Sequence, residues 1–162
     1  MLVDHRREMW AAIGGFSNSD LEAGDLVYRR WVRRMMRAKR FRAWIAEDAQ
    51  RRPIGSGAVW LTEAQPRPGE PGPYRPYILS MYTDPAHRGE GVASAIVRTA
   101  VAYARAQGFQ RITLHASEMG RSVYARLGFE RGWEMRQRFT VHLARATAPA
   151  RRRGRRSPAA RP

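Results

Sequence analysis

The stretch His87-Arg88-Gly89-Glu90-Gly91-Val92-Ala93-Ser94 holds the residue types and spacing best suited to chemistry in this chain. It lies between a predicted strand and the start of a predicted helix. Its two glycines let the backbone turn tightly and approach a ligand closely. The first amides of a helix have no intrahelical acceptor, and the helix dipole adds partial positive charge there. Such a corner accepts phosphate oxygens, and Arg88 adds a forked, permanently charged donor. Three phosphate-binding patterns compete. GxxxxGK[ST] fails because the only lysine, Lys39, lies inside another predicted helix. GxGxxG fails because its third glycine, counted from Gly89, falls on Ser94, and no alternating strand–helix pattern precedes it. The third pattern, the pyrophosphate grip [QR]xxGx[GA], is met by Arg88, Gly91 and Ala93.

Other chemistries are scarcer. With no cysteine, thiol catalysis, disulfides and thiolate metal sites are excluded. His5, His87, His115 and His142 are scattered, with no HxxxH spacing, so no metal site is expected. A general base is not singled out. Glu63, Glu47 and His115 are candidates, and a water chain can replace them all. A histidine on a strand, as His115 is, is more often packed than basic.

The elements that must position this loop follow from periodicity. Residues 2–13 read as a helix stopped by Gly14-Gly15. Ser19, with Glu22 three residues on, predicts the capped start of a helix over 21–39. Its apolar stripe is Tyr28, Trp31, Val32, Met35 and Met36, and arginines fill most of the rest. Residues 41–47 and 54–62 read as antiparallel strands, Gly55 and Gly57 weakening the second or allowing close approach. A Pro-rich loop over 63–76 precedes a third strand at 77–83. The best helix spans 91–107, with Val92, Ile96, Ala100 and Ala104 at every fourth position and Gly108 beyond its end. A strand at 111–116, a short helix at 118–127 and one or two strands within 129–141 follow. The strand–helix–strand order across 77–116 implies a parallel pair, whereas the earlier strands turn back on one another. The expected fold is a mixed, mostly antiparallel sheet with helices on both faces.

The chain's 162 residues suit one domain. It carries 30 basic and 14 acidic residues, net +16. Six of those charges are arginines of 151–162, so residues 1–150 still carry +10. The Ala/Pro/Arg-rich stretch 146–162 cannot bury a face and is expected to be a disordered tail behind a domain over 1–145. No run reaches the ~20 apolar residues of a membrane span, and residues 1–8 lack a signal-peptide core. A cytoplasmic protein without membrane association is the expectation.

The run Met81-Tyr82-Thr83-Asp84-Pro85-Ala86-His87-Arg88-Gly89-Glu90-Gly91-Val92-Ala93 resembles the acetyl-CoA-binding motif of the GNAT superfamily of N-acetyltransferases. A second stretch, Leu114-His115-Ala116-Ser117 followed by Val123-Tyr124-Ala125-Arg126-Leu127-Gly128-Phe129-Glu130, is similar to that family's downstream strand, helix and LYxxLGF segment. The two matches cover residues 77–130. The resemblance implies splayed parallel central strands, here 77–83 and 111–116, with acetyl-CoA between them. It implies that backbone amides over Gly89, Glu90, Gly91, Val92, Ala93 and Ser94, with Arg88, hold the pyrophosphate. Main chain of Met81, Tyr82 and Thr83 would pair with the pantetheine arm, and an amide near Met81 would polarise the thioester carbonyl. Tyr124 aligns with the tyrosine that protonates the leaving thiolate. Seven residues earlier, many members carry asparagine; Ser117 stands here and can donate one hydrogen bond. Members usually begin with a strand before the first helix. This chain starts almost at the helix, so that strand is expected to be absent or the recorded start late, which exposes a sheet edge.

The leading expectation is therefore an acetyl-CoA-dependent N-acetyltransferase, acting by direct attack of an amine on the thioester in a ternary complex. The acceptor, a small molecule or a peptide amine, is not identified. A non-catalytic acyl-CoA-binding module is one alternative. A basic nucleic-acid-associated protein using the tail and the arginine face is another, and nucleic acid is the weaker partner reading. A homodimer stays open.

Overall fold

Gly14, with φ at 82°, ends α1 (Leu2–Ile13), and its amide returns to the Trp10 carbonyl. The computed structural model describes residues 1–137. α2 (Asn18–Arg37) starts earlier than the sequence predicted. Ser17, not Ser19, caps it: Ser17 Oγ accepts the Asp20 amide at 3.2 Å and Asp20 Oδ2 accepts the Ser17 amide at 3.0 Å. The box therefore closes on Asp20 rather than Glu22. Both Ser and Asp serve well in these places, and serine at 17 and at 19 could each have begun it.

β1 (Phe41–Glu47), β2 (Pro53–Glu63) and β3 (Tyr74–Thr83) form an antiparallel meander. A 3₁₀ turn over Pro85–His87 leads to α3 (Val92–Ala106), then β4 (Thr113–Leu114) and α4 (Arg121–Arg126). The sheet order is β1-β2-β3-β4, with β4 parallel to β3. The mixed sheet with helices on both faces is thus the architecture observed. Met1–Glu130, which holds all these elements, forms one compact unit.

The strands differ further from the sequence reading, and α4 is shorter than the expected 118–127. β2 and β3 run on to the pair Glu63↔Tyr74, so the Pro-rich loop shrinks to 64–73. Pro76 is tolerated within β3 because its partner Leu61 directs its own amide to Arg40 across the sheet. The expected strand 111–116 keeps only Thr113 and Leu114, since β4 leaves β3 after two pairs. No strand forms within 129–137, where Trp133 and Met135 are almost fully exposed instead of lying on a sheet face. Residues 138–141 and the expected tail 146–162 lie outside the described residues.

Each face of the sheet buries its own apolar layer. Tyr28 and Val32 of α2 pack with Phe41 and Ala58 on one side. Val97 and Ala100 of α3 pack with Val59 and Ile78 on the other. Met36, expected in the α2 stripe, is exposed. Gly57 is required by the second layer: a Cβ there would collide with Met81 and sit 2.7 Å from Ile96 Cγ2. The close approach allowed by Gly55 and Gly57 is therefore real, and α3 rests directly on β2. Among the described residues, no helix is long and apolar enough to cross a membrane.

Candidate functional site

The site begins with a defect in β3. Ser56 pairs with Tyr82 and Ala58 with Leu79, so two steps on β2 face three on β3. The extra residue makes a β-bulge, and Ser80 adopts φ +53°. A serine in the left-handed region is strained and needs support from its surroundings. Tyr28 of α2 supplies it, with its hydroxyl 3.2 Å from Ser80 Oγ. The bulge also shifts the strand's alternation by one residue. Met81 then packs toward α3. The Tyr82 ring lies against His5 of α1, centroids 4.7 Å apart.

On its other side β3 loses its partner. Only Tyr77↔Thr113 and Ile78↔Leu114 pair with β4. From Leu79 to Thr83 that edge faces no strand among the described residues, which suits an extended ligand arm. The splay points at the loop after β3. Asp84 anchors the loop by donating its amide to the Ile54 carbonyl and accepting the Ala86 amide on its side chain, both at 2.9 Å. Gly89 and Gly91 take φ +87° and +84°, and a Cβ at either would meet nothing within 4 Å. They are needed for the turn, and the space before them is open. Gly91 is the N-cap of α3, so the amides of Val92, Ala93 and Ser94 form its unpaired first turn. Arg88 Nε lies 3.5 Å from the Thr83 carbonyl, which leaves the ends of its fork available. The Glu90 carboxylate is engaged with His87 Nδ1 at 3.0 Å, so only its backbone is offered to the loop. These groups fit an elongated ligand ending in a pyrophosphate.

Tyr124 sits on α4, half-buried, its ring edge-on to Phe129 at 5.8 Å. Gly120 leaves room for that ring, since a Cβ there would lie 2.9 Å from Tyr124 Cε2. Burial pushes the Tyr124 phenol above its ordinary value, and the nearby Tyr77 phenol adds to the shift. Tyr124 therefore keeps its proton at neutral pH, as an acid must. Ser117 accepts the Gly120 amide on its Oγ at 3.3 Å and shapes the turn into α4. Its hydroxyl proton is still available to donate.

Of the three base candidates only His115 reaches this region. Its amide donates to Tyr77 Oη at 3.1 Å, and its Nδ1 touches the same oxygen. Glu63 is ion-paired with Arg40 at 2.9 Å at the far end of β3. Glu47 lies on the outer strand β1 with Arg51 at 3.4 Å.

Sequence reasoning missed the residues that α1 and α2 bring to the bulge. His5 Nδ1 lies 2.9 Å from Ser56 Oγ, and Ser56 is 2% exposed. Burial, first of all, holds the His5 imidazole below its ordinary value. The Arg6 guanidinium covers the Tyr28 ring at 4.4 Å. No local pattern marks these residues, because each contact joins segments more than twenty residues apart. Among the described residues, no group of histidine and carboxylate side chains could hold a metal ion.

Comparison with known proteins shows the family and the fold. The profile of the Acetyltransferase (GNAT) family matches residues 6–129. A GCN5-related N-acetyltransferase from Ralstonia eutropha JMP134 superposes with a TM-score of 0.76 at 29% identity, over 85% of this chain and 90% of that one. A predicted acetyltransferase from Clostridium acetobutylicum, solved with acetyl-CoA, gives 0.76 at 28% identity, over 85% and 87%. Human N-acetyltransferase 8B is 31% identical over 91 residues, 54% of this chain, and the match spans only 38% of that protein's length. The profile match covers the bulge, the splay and the glycine corner alike, and by it this chain belongs to the GNAT acetyltransferase family.

Proposed function

We propose that the protein is an N-acetyltransferase moving an acetyl group from acetyl-CoA to an amine by direct attack in a ternary complex. One observation carries the reading: the open edge of β3 beyond Ile78 leads into the amide-lined corner at Gly89–Ser94. In this reading the amides of residues 89–94 and the Arg88 fork bind the pyrophosphate. The main chain of Met81, Tyr82 and Thr83 binds the pantetheine arm as an added strand. Bound acetyl-CoA supplies an acetyl thioester. An amide near Met81 stabilises negative charge on its carbonyl oxygen as the amine attacks. As the C–S bond breaks, Tyr124 gives its phenolic proton to the departing sulfur and Ser117 donates a hydrogen bond beside it, while the attacking nitrogen sheds its proton to water and water reprotonates Tyr124. The acetyl-CoA seen with the Clostridium relative supports this choice of donor.

The test is CoA release with a panel of amines, alongside the acetyl-CoA-induced rise in melting temperature. Turnover with any amine supports the reading. Stabilisation by acetyl-CoA without turnover would leave a binding module, and no stabilisation would overturn the acetyl-CoA assignment.

A further inference from the structure

We propose that the amine acetylated by this protein also carries a carboxylate, and that Arg6 is the residue that recognises it; this rests on the acetyltransferase reading above. Two consecutive residues of α1 lie near the bulge in β3, His5 against the strand itself and Arg6 against Tyr28. The His5 ring lies tilted against Tyr82, just after the bulge. The Arg6 guanidinium lies 4.4 Å from the centroid of the Tyr28 ring and 5.7 Å from that of Trp10. The Tyr28 hydroxyl in turn touches Ser80, the bulged residue. Arg6 is thus one phenol ring away from the point where β3 swings toward the proposed acyl site.

Arg6 is half-buried, yet among the described residues no carboxylate pairs with it. Its neighbour shows the contrast. Arg7 is committed to the buried Asp25, with Nη2 2.5 Å from Oδ2. Arg6 Nη1 instead faces Gly24 of α2, where even a Cβ would stand 3.9 Å away. A cation set over an aromatic ring spends none of its N–H donors on an oxygen acceptor. A planar fork of that kind matches the two oxygens of one carboxylate. Its packing against the Tyr28 and Trp10 rings restrains the side chain before any ligand arrives, which lowers the ordering cost of binding. The net charge of +16 also favours anionic acceptors at the surface.

The experiment compares amino acids with their amides, and with an aminoalkyl phosphate, as acceptors for the full-length wild type and two variants. Wild type is expected to favour each acid over its amide by about tenfold or more in kcat/KM. Arg6→Gln should raise the amine KM for the acid by about tenfold to a hundredfold and leave the amide within about twofold. Arg6→Lys, keeping charge without the fork, should recover part of the loss. The acetyl-CoA-induced stabilisation should be the same in all three proteins. Equal use of acid and amide by the wild type would overturn the proposal without any variant. So would preference for the phosphate, or equal losses on acid and amide in Arg6→Gln. Absence of turnover with every amine is a different result, which brings down the acetyltransferase reading itself.

Discussion

The Tyr28 hydroxyl lies 3.2 Å from Ser80 Oγ, so a residue in the middle of α2 braces the one left-handed residue of β3. The brace crosses the buried layer between α2 and the sheet, and Tyr28 is itself 7% exposed. Burial pushes its phenol above the ordinary value, which keeps the hydroxyl protonated and able to donate. Tyr28→Phe should lower unfolding stability by about 0.5–1.5 kcal/mol, the usual worth of one such bond. Urea denaturation measures this, and an unchanged midpoint would show that Ser80 holds its conformation without α2.

Gly91→Asp places a charge and a side chain at a residue with φ +84° in the corner proposed for the phosphates. The acetyl-CoA-induced rise in melting temperature should disappear, while the apo protein still melts cooperatively. A preserved shift would remove this loop from the binding site.

Tyr124→Phe keeps the ring against Phe129 and deletes only the hydroxyl. General acid catalysis contributes about 10²–10⁴-fold, and a thiolate is a good leaving group, so kcat should fall by about tenfold to a hundredfold. The KM for acetyl-CoA should hardly change. Wild-type kcat in the folded variant would exclude Tyr124 from the chemistry.

His5 predicts a pH dependence of stability. Its imidazole titrates below its ordinary value in the fold, chiefly through burial, although Asp4 and Asp84 pull the other way. The unfolded chain therefore binds this proton more readily than the native one. The His5 contribution is complete above about pH 6.5 and is lost as pH falls through the depressed native value. Thermal melts from neutral to mildly acid pH should fall more steeply for the wild type than for His5→Gln. Parallel slopes would show that His5 is not the group responsible.

Glu70 closes the 64–73 loop. Its carboxylate receives Arg67 at 2.5 Å, Arg75 at 3.0 Å and Arg111 at 2.5 Å, which ties the loop to the approach to β4. Glu70→Ala strands three guanidinium groups together without a counter-charge. Limited proteolysis should then cut within 64–73 in the variant and spare the wild type. Equal resistance of the two proteins would show that the prolines alone hold the loop.

The chain's own order of residues was enough to locate the glycine corner and α3. Both are local matters: Gly89 and Gly91 take positive φ that few other residues tolerate, and Val92, Ile96, Ala100 and Ala104 recur with the helical period and are all buried. The LYxxLGF segment likewise announced α4 and the glycine that ends it, with φ +81° at Gly128. Tertiary structure alone decided the bulge. Nothing in Ile78-Leu79-Ser80-Met81-Tyr82 departs from an ordinary strand, and simple alternation would put Met81 and Tyr82 on the opposite faces from those they occupy. Ser80 takes its strained angle where Gly57 makes room for Met81 and Tyr28 meets the serine from α2. The early departure of β4, with two pairs where six residues had strand character, is equally a matter of pairing at a distance. His5 meets the strand, and Arg6 meets the Tyr28 ring that braces it, for the same reason: side chains from residues 5, 6, 28, 56, 80 and 82 come together only once α1 and α2 have packed on the sheet.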